Sequence, residues 1–70
     1  MIFARRFRSA GHTRDFLVQI GPELGWEVRE EEDNRVIKRT RIHDWHRVEQ
    51  AIALFAIEAT RLERDGWVEL

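Results

Sequence analysis

The chain has 70 residues, no cysteine and a formal net charge of −1, with 36% charged and 43% hydrophobic residues. This length fits one small domain, and the composition suits a compact fold rather than a disordered segment. The lack of cysteine excludes disulfide bonds and thiolate metal sites, and a pI near 6.3 does not favour a protein that binds polyanions through its total charge.

Alternating apolar residues predict four strands separated by short turns. The turn between the second and third strands, Gly21–Gly25, contains one proline and two glycines, which suit a tight backbone. Asp33 and Asn34 mark the turn between the third and fourth strands. The predicted strands cover approximately residues 2–8, 14–20, 26–32 and 36–42.

The first predicted strand is the least regular of the four. Phe3 and Phe7 share one of its sides, but Arg5 lies between them on that same side. Arginines placed in this way are typical of an edge strand that resists aggregation. We therefore place this strand at one edge of the sheet.

The pairing of the third and fourth strands can be predicted from charge. A three-residue loop places Trp26 opposite Ile42. It also sets Glu30 against Lys38. A two-residue loop would instead place Arg29 against Lys38, and like charges directly opposite each other destabilise a sheet. We therefore predict the three-residue loop.

One long amphipathic helix is predicted over residues 45–65. Asp44 is a suitable N-cap, and Gly66 suits the left-handed geometry at a helix end. Residues 67–70 form a short apolar tail that is expected to fold back on the sheet or the helix. The apolar stripe of the helix has a 3–4 spacing and consists of Trp45, Val48, Ile52, Phe55, Ala59 and Leu62.

These elements predict a single α+β domain over residues 1–70. Short turns favour antiparallel neighbours, so the four strands form a β-meander. The helix stripe then covers one face of the sheet, which completes a two-layer ββββα arrangement.

A second row of helix residues lies away from the predicted core stripe. Two of its members, Leu54 and Ile57, are aliphatic, which predicts a cover formed by the C-terminal tail or by another subunit. The alternative is the ordinary scatter of exposed apolar residues. A two-fold homodimer is the favoured form of a second subunit. The whole row, our possible interface, is Arg47, Gln50, Leu54, Ile57 and Arg61.

The densest polar cluster is His43, Asp44 and His46. A metal site there would use His43 and His46 with an acid, and the distant His12 as a further ligand, because two histidines alone fall short of a ligand set. The competing interpretation is a strand-to-helix junction in which Asp44 caps the helix and both histidines are solvated. We therefore predict neither a metal nor another cofactor.

Catalytic motifs are not recognisable in the sequence. There is no cysteine nucleophile and no glycine-rich phosphate loop, and Ser9, the single serine, lies in a predicted surface turn. A chain of this size also has little room for a pocket. We expect no enzymatic activity, no catalytic residues and no cofactor-binding residues, and the sequence names no small-molecule ligand.

Arginines near aromatic residues suggest a nucleic-acid surface as the alternative. Such a sheet could hold phosphates and stack unpaired bases. However, the charges alternate in blocks: residues 23–34 carry six acids and one arginine, and residues 35–47 carry five bases and one acid. Pairing between neighbouring strands explains such blocks equally well. The arginines of this possible surface are Arg5, Arg6, Arg8, Arg14, Arg39 and Arg41.

No segment indicates a membrane protein. The longest apolar run, Ala51–Ile57, is too short to cross a bilayer. The residues after Met1 become charged within a few positions, so they do not resemble a secretory signal. We expect a soluble, cytoplasmic protein.

Three segments resemble those of small uncharacterised bacterial proteins: Gly25–Glu30 (GWEVRE), Asp44–Glu49 (DWHRVE) and Asp65–Trp67 (DGW). The resemblance covers most of residues 14–67, and it implies a compact bacterial domain without a known activity. The predicted strand order is also similar to the repeat unit of the purine-rich-element-binding (PUR) proteins, which bind single-stranded nucleic acid through a four-stranded sheet backed by a helix. This second likeness is one of topology, and fold does not imply function.

The sequence thus favours a small non-enzymatic interaction domain that self-associates as a homodimer. Single-stranded nucleic-acid binding through the arginine-bearing sheet is the alternative.

Overall fold

The computed structural model describes all 70 residues as one antiparallel sheet with a helix on one face. The predicted α+β meander and C-terminal helix are confirmed, and a short fifth strand extends the sheet. The strand order is β4-β3-β2-β1-β5. The elements are β1 (Phe3–Ser9), β2 (His12–Ile20), β3 (Trp26–Glu32), β4 (Arg35–Ile42), α1 (Trp45–Arg64) and β5 (Val68–Glu69).

The register between β3 and β4 confirms the predicted pairs but not the predicted loop. Trp26 lies opposite Ile42, and Glu30 lies opposite Lys38. The loop has two residues rather than three, because Glu32 pairs with Arg35, and the register shifts between Glu30 and Glu31. A β-bulge in β4 supplies the extra residue.

The physical reason for the shorter loop lies in its two residues. Asp33 and Asn34 both have positive φ angles, of 51° and 65°. Two such residues suit a type I′ turn, whose twist matches that of the flanking strands. In the register that the bulge restores, Arg29 lies directly opposite Arg39, and the carboxylates of Glu31 and Glu27 offset this repulsion.

The core lies between α1 and the helix side of the sheet. Phe16 is fully buried, and its ring centroid lies 4.9 Å from that of Phe55 and 6.0 Å from that of Phe7. Burying each such ring contributes about 1.5–3 kcal/mol. The buried apolar residues are Phe7, Phe16, Val18, Val28, Ile42, Val48, Phe55, Ala59 and Leu62.

Most of the predicted helix stripe faces this core. Val48, Phe55, Ala59 and Leu62 are buried, and Ile52 is half-buried. Trp45 is the exception, because it is 43% exposed. Its ring instead packs against that of Trp26 at the edge of the core, with 5.2 Å between the ring centroids.

Both ends of α1 are capped as the sequence predicts. The backbone N–H of His46 donates to Asp44 Oδ1 at 2.9 Å. At the other end, Gly66 has a φ angle of 91°, and the backbone N–H of Trp67 donates to the carbonyl of Leu62. This pattern is a Schellman motif, which turns the chain back toward the sheet.

The C-terminal tail folds onto the sheet, one of the two places that the sequence allowed. Val68 pairs with Arg8 in β1, and the backbone N–H of Leu70 donates to the carbonyl of Arg6 at 2.9 Å. The tail therefore lies at the β1 edge, so it does not cover the second row of the helix.

The helix crosses the sheet obliquely. It begins beside β3 and β4, where Trp45 meets Trp26, and it ends beside β1, where Glu63 lies 3.8 Å from Arg5. This path leaves the helix side of β4 partly uncovered. The helix is not long and apolar enough to cross a membrane.

Candidate interaction surface

The second helix row is exposed along its whole length. Leu54 and Ile57 are 65% and 60% exposed, and Arg47, Gln50 and Arg61 are exposed as well. The sequence proposed two covers for this row. The first, the C-terminal tail, does not cover the row, because it pairs with β1. Any cover must therefore come from outside the described chain.

A groove separates α1 from β4 and shares part of this row. Its volume is about 290 Å³. The apolar side chains of Val28, Ile42 and Phe55 contribute to its lining. On β4, every second residue faces the helix, and these residues are Lys38, Thr40 and Ile42. The α1 wall is formed by Arg47, Gln50, Ala51 and Leu54.

Strand β4 is the long free edge of the sheet. No strand pairs with its outer side, and seven of its eight residues are not buried. Its sequence, RVIKRTRI, contains four basic residues and no acid. Strand β4 therefore presents an unpaired backbone edge that is strongly positive.

Half of the basic residues in the chain are neutralised by ion pairs. Of twelve arginines and lysines, six have a carboxylate oxygen within 4.0 Å: Arg5, Arg6, Arg14, Arg29, Arg39 and Arg61. The other six have none. Four of those six, Arg35, Lys38, Arg41 and Arg47, lie on β4 or on the α1 wall of the groove.

The structure does not gather the six arginines of the predicted nucleic-acid surface. Arg5 and Arg14 lie on the helix side of the sheet, where they pair with Glu69 and with Glu30. The remaining members lie on the face of the sheet away from the helix, which we call the open side: Arg6, Arg8, Arg39 and Arg41. The aromatic rings on the strands lie on the helix side and pack in or against the core. The open side therefore offers no aromatic platform for base stacking.

Charge pairs cover the open side of the sheet. Asp15 is only 4% exposed, and its carboxylate accepts two hydrogen bonds from the guanidinium of Arg6, at 2.7 and 3.2 Å. These bonds raise the pKa of Arg6 above its ordinary value. Glu27 is 8% exposed and lies 2.5 Å from Nε of Arg39. The carboxylates therefore hold these arginines against the sheet.

A hydrogen bond joins the two hairpin turns at one end of the sheet. Nδ1 of His12 lies 3.0 Å from Oδ2 of Asp33, and the backbone N–H of Thr13 donates to Oδ1 of the same carboxylate. The contact with Asp33 raises the pKa of His12. The contacts with His12 and Thr13 lower the pKa of Asp33. His12 thus has a structural partner.

The other two histidines lie at the opposite end of the sheet from His12. His43 packs against Gly25, where an added Cβ atom would lie 2.7 Å from the His43 Nδ1. His46 lies 3.6 Å from Glu49 on the helix surface. No three His, Asp or Glu side chains are grouped as a metal site.

Sequence reasoning found the helix wall of the groove but missed the strand wall. In the sequence, Lys38 enters only the pairing of the hairpin, opposite Glu30 or Arg29. Two signals were available: the four bases of RVIKRTRI, and the position of β4 at the edge of a meander. Together they indicate a positive free edge beside the helix.

Comparison with known proteins adds no assignment to this surface. No protein-family model, curated protein or solved structure matches the chain, so no activity is carried over from a relative.

Proposed function

We propose that this chain is a small, non-enzymatic interaction domain of the cytoplasm that forms a two-fold homodimer through the outer row of α1. The observation that carries the proposal is the exposure of Leu54 and Ile57, three positions apart on one helix face. Burying both side chains against a second copy contributes about 1.5–3 kcal/mol each per protomer.

Charge favours the helix row over the free sheet edge for self-association. Pairing β4 with β4 of a second copy would bring two strands with four basic residues each into contact. Like charges on neighbouring strands oppose pairing. The β-bulge at the hairpin end of β4 also shortens the regular edge that such contact would use.

The size of the row sets the expected affinity. From Arg47 to Arg61 the helix rises about 21 Å, at 1.5 Å per residue. A stable interface takes about 800 Å² from each partner, and a single helix row supplies less than this. We therefore expect a weak dimer with a dissociation constant in the micromolar range or above.

Analytical ultracentrifugation tests the dimer directly. The wild-type chain should change from monomer to dimer between about 10 μM and 1 mM. Ile57→Arg and Leu54→Arg should both remain monomeric, because each places a charge in the contact. Ala56→Arg is the matched control, since Ala56 is exposed and lies about 160° from Leu54 around the helix.

Two results would contradict the proposal. One is a wild-type chain that stays monomeric at the highest concentration. The other is an Ala56→Arg variant that dissociates as fully as Ile57→Arg, which would show that any added charge on α1 has the same effect.

A further inference from the structure

The regular part of the β4 edge, residues 38–42 beyond the bulge, has the backbone geometry to accept another strand. Seven residues of β1 pair with β2 on its inner side, and β5 pairs with part of its outer side. In contrast, eight residues of β4 have no partner on their outer side. A free edge of this kind presents unpaired N–H and C=O groups to an extended chain.

The charge of β4 restricts the kind of chain that can bind there. Arg35, Lys38 and Arg41 have no carboxylate within 4.0 Å, and β4 contains no acid. Arg47, on the opposite wall of the groove, is also without an ion pair and adds a fourth positive charge. An acidic segment complements this surface, whereas a second β4 strand does not.

Strand β3, the hydrogen-bonded neighbour of β4, is an example of an acidic strand that pairs with it. Strand β3 reads WEVREEE, with four glutamates, and it pairs with β4 along the inner edge. Its Trp26 and Val28 face the helix side and contribute apolar surface. A strand of similar character would meet the same residues of β4 from the outer side.

We propose that β4 binds an extended acidic segment of another protein, which adds to the sheet as a sixth strand. Apolar side chains of the segment enter the groove between β4 and α1. Its carboxylates pair with Arg35, Lys38, Arg41 and Arg47. This site goes beyond the proposed homodimer. The two surfaces share Arg47, Gln50 and Leu54, so the segment and a second copy exclude each other there, whereas Ile57 lies outside the groove and distinguishes the two.

The alternation of β4 defines the pattern of the bound segment. Lys38, Thr40 and Ile42 face the groove, whereas Arg39 and Arg41 face the open side. Every second residue of the segment therefore faces the groove, where apolar side chains lie against Ala51 and Leu54 and a carboxylate reaches Lys38 or Arg47. The residues between them face the open side, where a carboxylate contacts Arg41.

Fluorescence anisotropy with a labelled peptide tests the site. The probe is an acetylated, amidated peptide with the sequence of residues 26–32, and its first control has glutamine in place of all four glutamates. A second control carries N-methyl groups on alternate amides, which removes the backbone donors. We expect the unmodified peptide to bind at least about tenfold more tightly than either control.

Charge-reversal variants locate the binding surface on the protein. Lys38→Glu combined with Arg41→Glu should weaken binding about tenfold or more. Arg8→Glu is the matched control, because Arg8 is also exposed and without an ion pair but lies on β1. This control should change binding by less than about twofold, and Ile57→Arg should bind as the wild type does.

Hydrogen exchange reports the strand addition itself. Peptide binding should slow the exchange of outward-facing amides in β4 and leave those of β1 unchanged. A Lys38→Gln/Arg41→Gln variant provides a second test if the charge reversal prevents folding. It should weaken binding by a smaller factor.

Several results would overturn the inference. Equal binding of the N-methylated peptide would exclude strand addition, and equal binding of the glutamine peptide would exclude charge recognition. Equal weakening by Arg8→Glu would show a non-specific effect of charge. An oligothymidine that binds more tightly than the peptide, with the same dependence on Lys38 and Arg41 and with a strong salt dependence, would assign the surface to nucleic acid instead.

Discussion

The two edges of the sheet differ in how completely they are closed. At the β1 edge, β5 covers part of the strand, and the guanidinium of Arg5 donates two hydrogen bonds to Glu69, at 2.8 and 2.7 Å. At the β4 edge, no strand is added, and Arg35, Lys38 and Arg41 have no carboxylate within 4.0 Å.

This difference separates the arginines that form ion pairs within the chain from the bases that do not. The arginines of the closed edge hold local structure, since Arg5 ties β1 to the C-terminal strand. Of the four bases of β4, Arg35, Lys38 and Arg41 have no carboxylate within 4.0 Å, so their charges are not neutralised within the chain. Arginine content alone would not have distinguished the two groups.

Removing the tail should break the closed edge and give the largest effect. A chain that ends at Gly66 loses half-buried Trp67, the β5 pairing and the Arg5 contact. We expect the free energy of unfolding to fall by about 2–4 kcal/mol, as measured by urea denaturation. Val36→Ala at the open edge should cost less than about 1 kcal/mol, because Val36 is 45% exposed. Equal losses would mean that the two edges do not differ.

Two double-mutant cycles compare the side-chain coupling energies at the two edges, and the expected effects on the free energy of unfolding are smaller. Arg5→Gln and Glu69→Gln should show a coupling energy of about 0.5–1 kcal/mol, since both groups are partly exposed. Lys38→Gln and Glu30→Gln should show a smaller coupling energy of about 0.2 kcal/mol, because the two residues lie opposite each other but Glu30 forms its ion pair with Arg14. Urea denaturation of all variants measures both values, and a larger coupling at Lys38 would contradict the distinction.

The smallest effect concerns His12 and Asp33, which join the hairpin of the closed edge to that of the open edge. The pKa of His12 is raised above 6.5, so its contribution to stability is present at lower pH and is lost as the pH rises through the raised value. The pKa of Asp33 is lowered below 3.8, so its contribution is lost as the pH falls through that lower value. The link is therefore strongest between these two pKa values.

Titration of the His12 ring by NMR measures this link. In Asp33→Asn, the pKa of His12 should fall toward 6.5, because the main partner of the imidazolium is gone. An unchanged pKa in that variant would show that Asp33 does not hold His12.

Much of the fold follows from the sequence because its signals are local. The helix begins after Asp44, whose side chain accepts a hydrogen bond from His46, and it ends before Gly66, whose backbone has a positive φ angle. Both effects act within a few residues. The pairing of Trp26 with Ile42 follows from opposite charges across one hairpin. Such features need no knowledge of distant contacts.

The remaining features depend on competition or on distant contacts. The hairpin loop was mispredicted because Asp33 and Asn34 accept positive φ angles, and a bulge then restores the favourable pairing of Glu30 with Lys38. The destination of the tail depends on residues more than 50 positions away, such as Arg8. The groove, similarly, exists only because the helix runs obliquely over the sheet.

The oblique helix also makes the groove a preorganised site. Only His43 and Asp44 separate β4 from α1, and after its other end the chain turns at Gly66 and continues into the β5 pairing. The β4 wall is part of the open edge of the sheet, and the helix that forms the other wall is held at the closed edge through β5. A partner that enters this groove meets walls of fixed spacing, so little of its binding energy is spent on ordering the protein. The β5 pairing therefore holds the far end of the same helix whose first half lines the groove.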